Sequence, residues 1–291
     1  MRPGFHSSMK TIASLAGQSR GIPISLLHLV PEHHGMTTEL QTSRHGATLV
    51  LTLHGPANRN ALSPQVYAAG IETLSMAEDN PEVSAVVITG SGGHFCSGGD
   101  LMRLAHNREH DLPAQAAAIE AFHQWVEALQ TFPKPVLAAV EGRAAGGGVS
   151  LALACDLVVA AEDARFTMAY SQIGLSPDGG ASWQLARRVG QGRALAWLWS
   201  GGTHTAQEWA SAGLVHRLAP SGTALSAALG WAEQLGKMPP GVLTSIKHLV
   251  QSAEGRPLHA HLQAEQAHFL QNLVAPAAGT AIKDFLQRRK S

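Results

Sequence analysis

Two glycine-rich stretches of this chain could do chemistry with their backbone. Phe95-Cys96-Ser97-Gly98-Gly99-Asp100-Leu101 and Glu141-Gly142-Arg143-Ala144-Ala145-Gly146-Gly147-Gly148 each follow an apolar, strand-like run and lead into a helix-like one. Glycine lets a chain pass close to a ligand, and the N–H groups at a helix start have no acceptor inside the helix. Two such loops facing one point would aim backbone donors at a single carbonyl oxygen and stabilise the negative charge that develops there. The chemistry named in this way is enolisation.

Those loops need elements to hold them. The run Leu49 to Leu53 reads as a strand, and Ser63-Pro64 opens a helix that reaches about Glu78, with Ser63 as N-cap and Pro64 in its first turn. Val83 to Thr89 reads as a buried strand before the first loop. Ala114 to Thr131 reads as a helix, and Pro135 to Val140 as the strand before the second loop. Val149 to Ala154 follows as a short apolar helix and Leu157 to Ala161 as another strand. No G-x-G-x-x-G follows a strand, so strand, turn and helix recur without the dinucleotide fingerprint. From about residue 221 the pattern is purely helical, with Pro239-Pro240 and Pro257 as punctuation and an apparent terminal helix over Ala277 to Arg289. The fold class read from this is α/β, with a core over residues 36–220 and a C-terminal helical region over 221–291.

With 291 residues and 45% hydrophobic content the chain can bury a full core. Lys plus Arg and Asp plus Glu both number 21, so no global charge argues for nucleic acid or an anionic membrane as partner, and a ligand's phosphates must be met by local basic residues. Cys96 and Cys155 are too few for a disulfide framework and fit a reducing, cytoplasmic compartment. No apolar run approaches the roughly 20 residues needed to span a bilayer. Residues 1–35 stand apart. Met1 to Pro31 lacks any acidic residue and carries Arg2, Lys10 and Arg20, as a targeting peptide would, but its prolines and glycines make a poor targeting helix. The segment reads as a disordered extension before Met36.

Four motifs in order, Pro56-Ala57-Asn58-Arg59-Asn60-Ala61-Leu62-Ser63, the Phe95 to Leu101 loop, the Gly142 to Gly148 loop with Cys155-Asp156 behind it, and Ile173-Gly174-Leu175-Ser176-Pro177-Asp178-Gly179-Gly180, resemble the crotonase family of enoyl-CoA hydratases, isomerases and relatives. The likeness covers nearly all of Met36 to Arg289. It implies a spiral of ββα units followed by C-terminal helices, assembled as a homotrimer or a dimer of trimers. It implies an acyl-CoA thioester as substrate, with coenzyme A entering as part of that substrate and no separate cofactor or metal. Carried over by position, the oxyanion donors are the backbone N–H groups of Ser97 and Gly147. Arg59, Phe285 and Arg288 fall where the resemblance places contacts to CoA; an ordinary basic helix end is an equal reading for Arg288.

The departures decide the activity expected. Hydratases of the family hold water with two glutamates, and the matching positions here are Ser150 and Tyr170. Ser150 reads first as a small residue on a packed helix and second as a hydrogen-bond donor. Tyr170 reads as a wall of the acyl pocket, since a phenol titrates near ~10 and is a poor proton carrier. Asp178 matches the position of the lone acid of family double-bond isomerases and of the attacking Asp of aryl-CoA dehalogenases; capping the helix near Ala181 is its other reading. His94, beside the first loop, reads as a turn residue or a substrate contact. Asp100 and Asp156 read as caps or braces. The H-x-x-E-H string His106 to His110 lacks a partner ligand and reads as no metal site. The expectation is an enoyl-CoA double-bond isomerase acting through Asp178. Hydratase-like action by an atypical route, a hydrolase or dehalogenase with Asp178 as nucleophile, and a CoA-ester-binding protein without catalysis remain as alternatives.

Overall fold

The computed structural model describes residues 37–289; the extension read over residues 1–35 lies outside them. Nine strands follow in chain order: β1 (Glu39–His45), β2 (Thr48–His54), β3 (Ala85–Gly90), β4 (Val136–Val140), β5 (Arg143–Ala145), β6 (Leu157–Ala161), β7 (Arg165–Thr167), β8 (Thr203–Thr205) and β9 (Arg217–Ala219). Between and after them run α1 (Pro64–Glu78), α2 (Leu101–His110), α3 (Leu112–Thr131), α4 (Gly147–Ala154), α5 (Ala181–Val189), α6 (Gln191–Ser200), α7 (Ala206–Ser211), α8 (Ala224–Gly236), α9 (Pro240–Ser252), α10 (Leu258–Leu273) and α11 (Pro276–Arg288).

Six strands form one sheet in the order β1-β2-β3-β4-β6-β9, antiparallel only between β1 and β2. A second sheet, β5-β7-β8, is three residues deep. The parallel strands read as unbroken apolar runs because both faces are covered. Val86, Ile88, Val136, Ala138, Val140, Val158 and Ala160 turn to one side, where they meet residues of α1, α3 and α4. Their neighbours Ala85, Val87, Leu137, Ala139 and Val159 turn to the other. That second face is closed by α8, which lays Ala224, Ala228 and Ala232, spaced one turn apart, flat on the sheet. Helices α9 to α11 follow. Each glycine loop leaves the C-terminal end of a parallel strand, β3 or β4, the edge at which open α/β sheets bind ligands.

Candidate active site

The two loops are bound directly to each other. The N–H groups of Phe95 and Cys96 both donate to the Arg143 carbonyl at 3.1 Å, and Ala145 N–H donates to the Cys96 carbonyl at 2.9 Å. Glycine is required where the second loop turns into α4, because a Cβ on Gly148 would sit 2.5 Å from the Cys96 carbonyl oxygen. Asn60 fixes the first loop from beneath. It is fully buried, accepts from Gly55 N–H at 2.9 Å and donates to the carbonyls of Ser91 and His94 at 2.9 and 2.8 Å. Asn60 and Arg59 both have left-handed φ, 61° and 55°, a conformation that asparagine tolerates better than most residues. The sequence reading passed over Asn60 as a binding element of the loop.

Helix α4 starts at Gly147, and its Val149 and Ser150 N–H groups both close onto the Gly146 carbonyl. The N–H groups of Gly147 and Gly148 therefore have no acceptor within the helix and stand at its positive end. Ser97 differs from the expectation of a free donor. Its N–H donates to the Arg59 carbonyl at 2.9 Å and its hydroxyl to the Asn58 carbonyl at 3.0 Å, which ties the first loop to the segment before α1. A carbonyl oxygen arriving at this position would take or share a donor that Arg59 now occupies. Cys96, next to it, is no nucleophile: it is wholly buried, and burial pushes its thiol up to about 12.

Asp178 does not cap α5. Gly180 holds the N-cap position with a left-handed φ and no side-chain bond. The Asp178 side chain instead accepts from the Tyr170 hydroxyl at 2.8 Å through Oδ1. Ser150 completes a triangle: its hydroxyl lies 2.8 Å from the Tyr170 hydroxyl and 2.9 Å from the Asp178 carbonyl oxygen. Ser150 thus forms the hydrogen bonds of its second reading from sequence, and Tyr170 presents its hydroxyl to Asp178. Burial first, and the Asp178 charge second, hold the Tyr170 phenol well above its usual range, so it remains a donor.

Proton counting gives the triangle a direction. With Asp178 ionised, two hydroxyl protons serve three short contacts, and Ser150 must choose between Tyr170 and the Asp178 carbonyl. With Asp178 protonated, its O–H donates to Tyr170, Tyr170 to Ser150, and Ser150 to the Asp178 carbonyl, so that every contact carries a proton. The arrangement accommodates both states of the acid.

Phe122, a core residue, packs beside the Asp178 turn. A Cβ built on Gly179 would lie 2.2 Å from its ring and one on Gly147 3.6 Å from it, so Phe122 sits between the helix start and the Asp178 turn. Tyr67 stacks on Phe122 with centroids 5.1 Å apart. Burial raises the Tyr67 phenol to about 12 against the pull of the Arg103 guanidinium. Neither Tyr67, Phe122 nor Arg103 was singled out from sequence. Aromatic residues at helical spacing carry no mark that separates a pocket wall from a core.

The other expected residues lie apart from this triangle. His94 packs its Nδ1, which has no hydrogen-bond partner, near the position a Cβ on Gly142 would take, and its contacts run to Asn60 and Gly142. Arg59 is exposed at the rim of the first loop. Phe285 and Arg288 are exposed on α11, which packs against α10; the Arg289 guanidinium lies 5.4 Å over the Phe285 ring. Asp100 caps α2, accepting from Met102 and Arg103 N–H at 2.9 and 3.3 Å. Asp156 accepts from Val136 N–H and from Lys247 Nζ, both at 2.8 Å. Among the described residues no three His, Cys, Asp or Glu side chains gather as a metal site, and no helix is long and apolar enough to cross a membrane.

Comparison with known proteins identifies the family. The family model described as enoyl-CoA hydratase/isomerase matches residues 43–291. The chain is similar to the 2,3-dehydroadipyl-CoA hydratase of Escherichia coli K12, 36% identical over 252 residues that span 87% of this chain and 97% of the relative. It is also similar to the 1,2-epoxyphenylacetyl-CoA isomerase of the same organism, 33% identical over 219 residues, 75% of this chain and 84% of that one. The crystal structure of an enoyl-CoA hydratase from Polaromonas sp. JS666 superposes with a TM-score of 0.84 at 49% identity, covering 86% of this chain and 97% of the other.

Proposed function

Given that this chain belongs to the enoyl-CoA hydratase/isomerase family of crotonase-fold acyl-CoA enzymes, we propose that it is an enoyl-CoA double-bond isomerase with Asp178 as acid and base. The observation that carries this reading is the triangle of Ser150, Tyr170 and Asp178. Hydroxyls stand where two glutamates would hold a water, and they are engaged with the one carboxylate of the group. A single carboxylate suffices to move a proton between two carbons; adding water requires that the water be held and ionised as well.

The Gly147 N–H, at the start of α4, meets the thioester oxygen, joined by the Ser97 N–H when the substrate displaces the Arg59 carbonyl. The Asp178 carboxylate takes a proton from C2 of a 3-enoyl thioester, and the electron pair spreads into a dienolate whose oxygen the two donors hold. The same proton returns from Asp178 to C4, which leaves the double bond conjugated with the thioester. Donors of this kind contribute about 3 kcal/mol each to the transition state. The substrate brings its own coenzyme A, and no further cofactor enters. Arg59 supports a CoA groove by its place at the loop rim. Phe285 and Arg288 would reach CoA from the terminal helix of a neighbouring copy in a homotrimer or dimer of trimers, an assembly supported by the exposed apolar residues Leu258, Phe269, Val274 and Phe285 on α10 to α11. Two buried, unpaired cysteines suit a cytoplasmic location.

The test is to measure two rates on one preparation: conversion of a 3-enoyl-CoA to the 2-enoyl-CoA, and hydration of the 2-enoyl-CoA, both from the absorbance of the conjugated thioester. Isomerisation should exceed hydration by ~10²-fold or more, the weight of one missing acid–base group. Hydration at a comparable rate would reject the isomerase reading.

A further inference from the structure

Helix α2 turns its first two apolar residues outward and a cation inward. Its apolar residues Leu101 and Met102 are 59% and 81% exposed, while Arg103 and Asn107, one turn apart, face the protein. Asn107 is satisfied by Gln115 at 3.2 Å. Arg103 is not satisfied: its Nε and Nη1 are sealed from solvent and have no hydrogen-bond partner. Two buried donors without acceptors on a charged group are costly, and an apolar residue at the same place would be cheaper. The neighbour it does have, the Tyr67 hydroxyl, is held neutral by burial and offers no negative charge.

The position of this cation is informative. The Tyr67 phenol lies within electrostatic reach of both the Arg103 guanidinium and the Asp178 carboxylate. Tyr67 stacks on Phe122, whose ring edge reaches the helix start at Gly147 and the turn at Gly179. From the oxyanion donor outward the order is therefore Gly147, Phe122, Tyr67, Arg103. Asp178, the carboxylate nearest this row, already accepts from Tyr170.

We propose that Arg103 reads the far end of the acyl chain and that the natural substrates are acyl-CoA esters whose distal end carries a carboxylate. The inference builds on the acyl-CoA site proposed above, but it does not need that site to be an isomerase. A carboxylate arriving past Tyr67 would give the guanidinium the acceptor it lacks. A methyl-ended chain would leave the two buried donors Nε and Nη1 without an acceptor, so the same residue attracts one class and rejects the other.

The test reads binding rather than turnover. A matched series of saturated acyl-CoA esters, methyl-ended and carboxylate-ended at each chain length, is titrated against the protein, together with CoA alone. At the fitting length the carboxylate-ended ester should bind about tenfold or more tighter than its methyl-ended twin, as expected for a hydrogen bond to a charged group. Arg103→Met should abolish or invert that preference with CoA affinity unchanged, and Arg103→Lys, which keeps a charge, should retain part of it. Melting curves show whether each variant is folded. No preference in the parent protein, or an undiminished preference in folded Arg103→Met, overturns the proposal. Equal binding of both ends, with turnover lost in Arg103→Met, would make the guanidinium a counter-charge for Asp178 instead. Saturated esters cannot isomerise, so failure of the isomerase reading leaves this result unaffected.

Discussion

The Tyr170 phenol, at a position that the resemblance matches to a hydratase glutamate, has its hydroxyl 2.8 Å from the Asp178 carboxylate. Tyr170→Phe therefore separates the ring from the hydroxyl. The ring keeps its place, and the Asp178 carboxylate loses a hydrogen-bond donor. The expected result is a fall of ~10-fold or more in kcat with KM near the parent value, since hydrogen bonds to charged groups contribute about 1.5–3 kcal/mol. A parental kcat would reduce Tyr170 to a wall. Asp178 itself was legible in the sequence as site or cap, and the structure removes the cap, because the αL Gly180 occupies that position. The bonds from Tyr170 and Ser150 were not legible. They join residues 8 and 28 positions away through a three-residue turn and a separate helix, and no spacing rule predicts such a pairing. Arg103 was equally silent, since a lone cation in the first turn of a helix reads as solvated until its burial is known.

At the scale of elements, the sequence was most legible where local chemistry and burial agree. Ser63 caps α1 through Val66 N–H at 3.4 Å and Pro64 begins it, and the helix ends at Glu78 as the pattern predicts. The apolar run Leu157 to Ala161 is β6 to the residue. Strand β1 was missed because it pairs at the sheet edge and nearly all its residues are exposed, leaving no apolar alternation to read. The β5-β7-β8 sheet was missed because three-residue strands are shorter than any periodicity. The start of α4 is the element on which the chemistry depends. Proline is tolerated at the first helical position, so Gly147→Pro should remove the N–H while leaving α4 formed. Loss of that donor should lower turnover by ~10²-fold, about 3 kcal/mol. Ser97→Ala, which loses only an exposed hydroxyl bond to Asn58, should stay near the parent. Full turnover in a folded Gly147→Pro protein would make the loops packing devices.

Across the whole molecule, two apolar layers on either face of one sheet hold the loops. The C-terminal helices are tied on by polar contacts: Lys247 of α9 reaches Asp156, and Thr244 reaches the Pro133 carbonyl at 2.8 Å. Burial raises the Asp156 carboxyl above its ordinary value, with Lys247 opposing the shift. That bridge places α9 beside the end of α4 and not beside Asp178, so the reacting groups of the proposed mechanism come from the loops, α4 and the turn before α5. The most direct measurement is on Asp178→Asn, which keeps the shape and removes the base. Conversion of a 3-enoyl-CoA to the 2-enoyl-CoA should fall ~10²- to 10⁴-fold, while a saturated acyl-CoA binds with nearly parental affinity. Turnover within a factor of about two of the parent, in a folded protein that still binds the ester, would contradict the assignment of Asp178 as the acid and base.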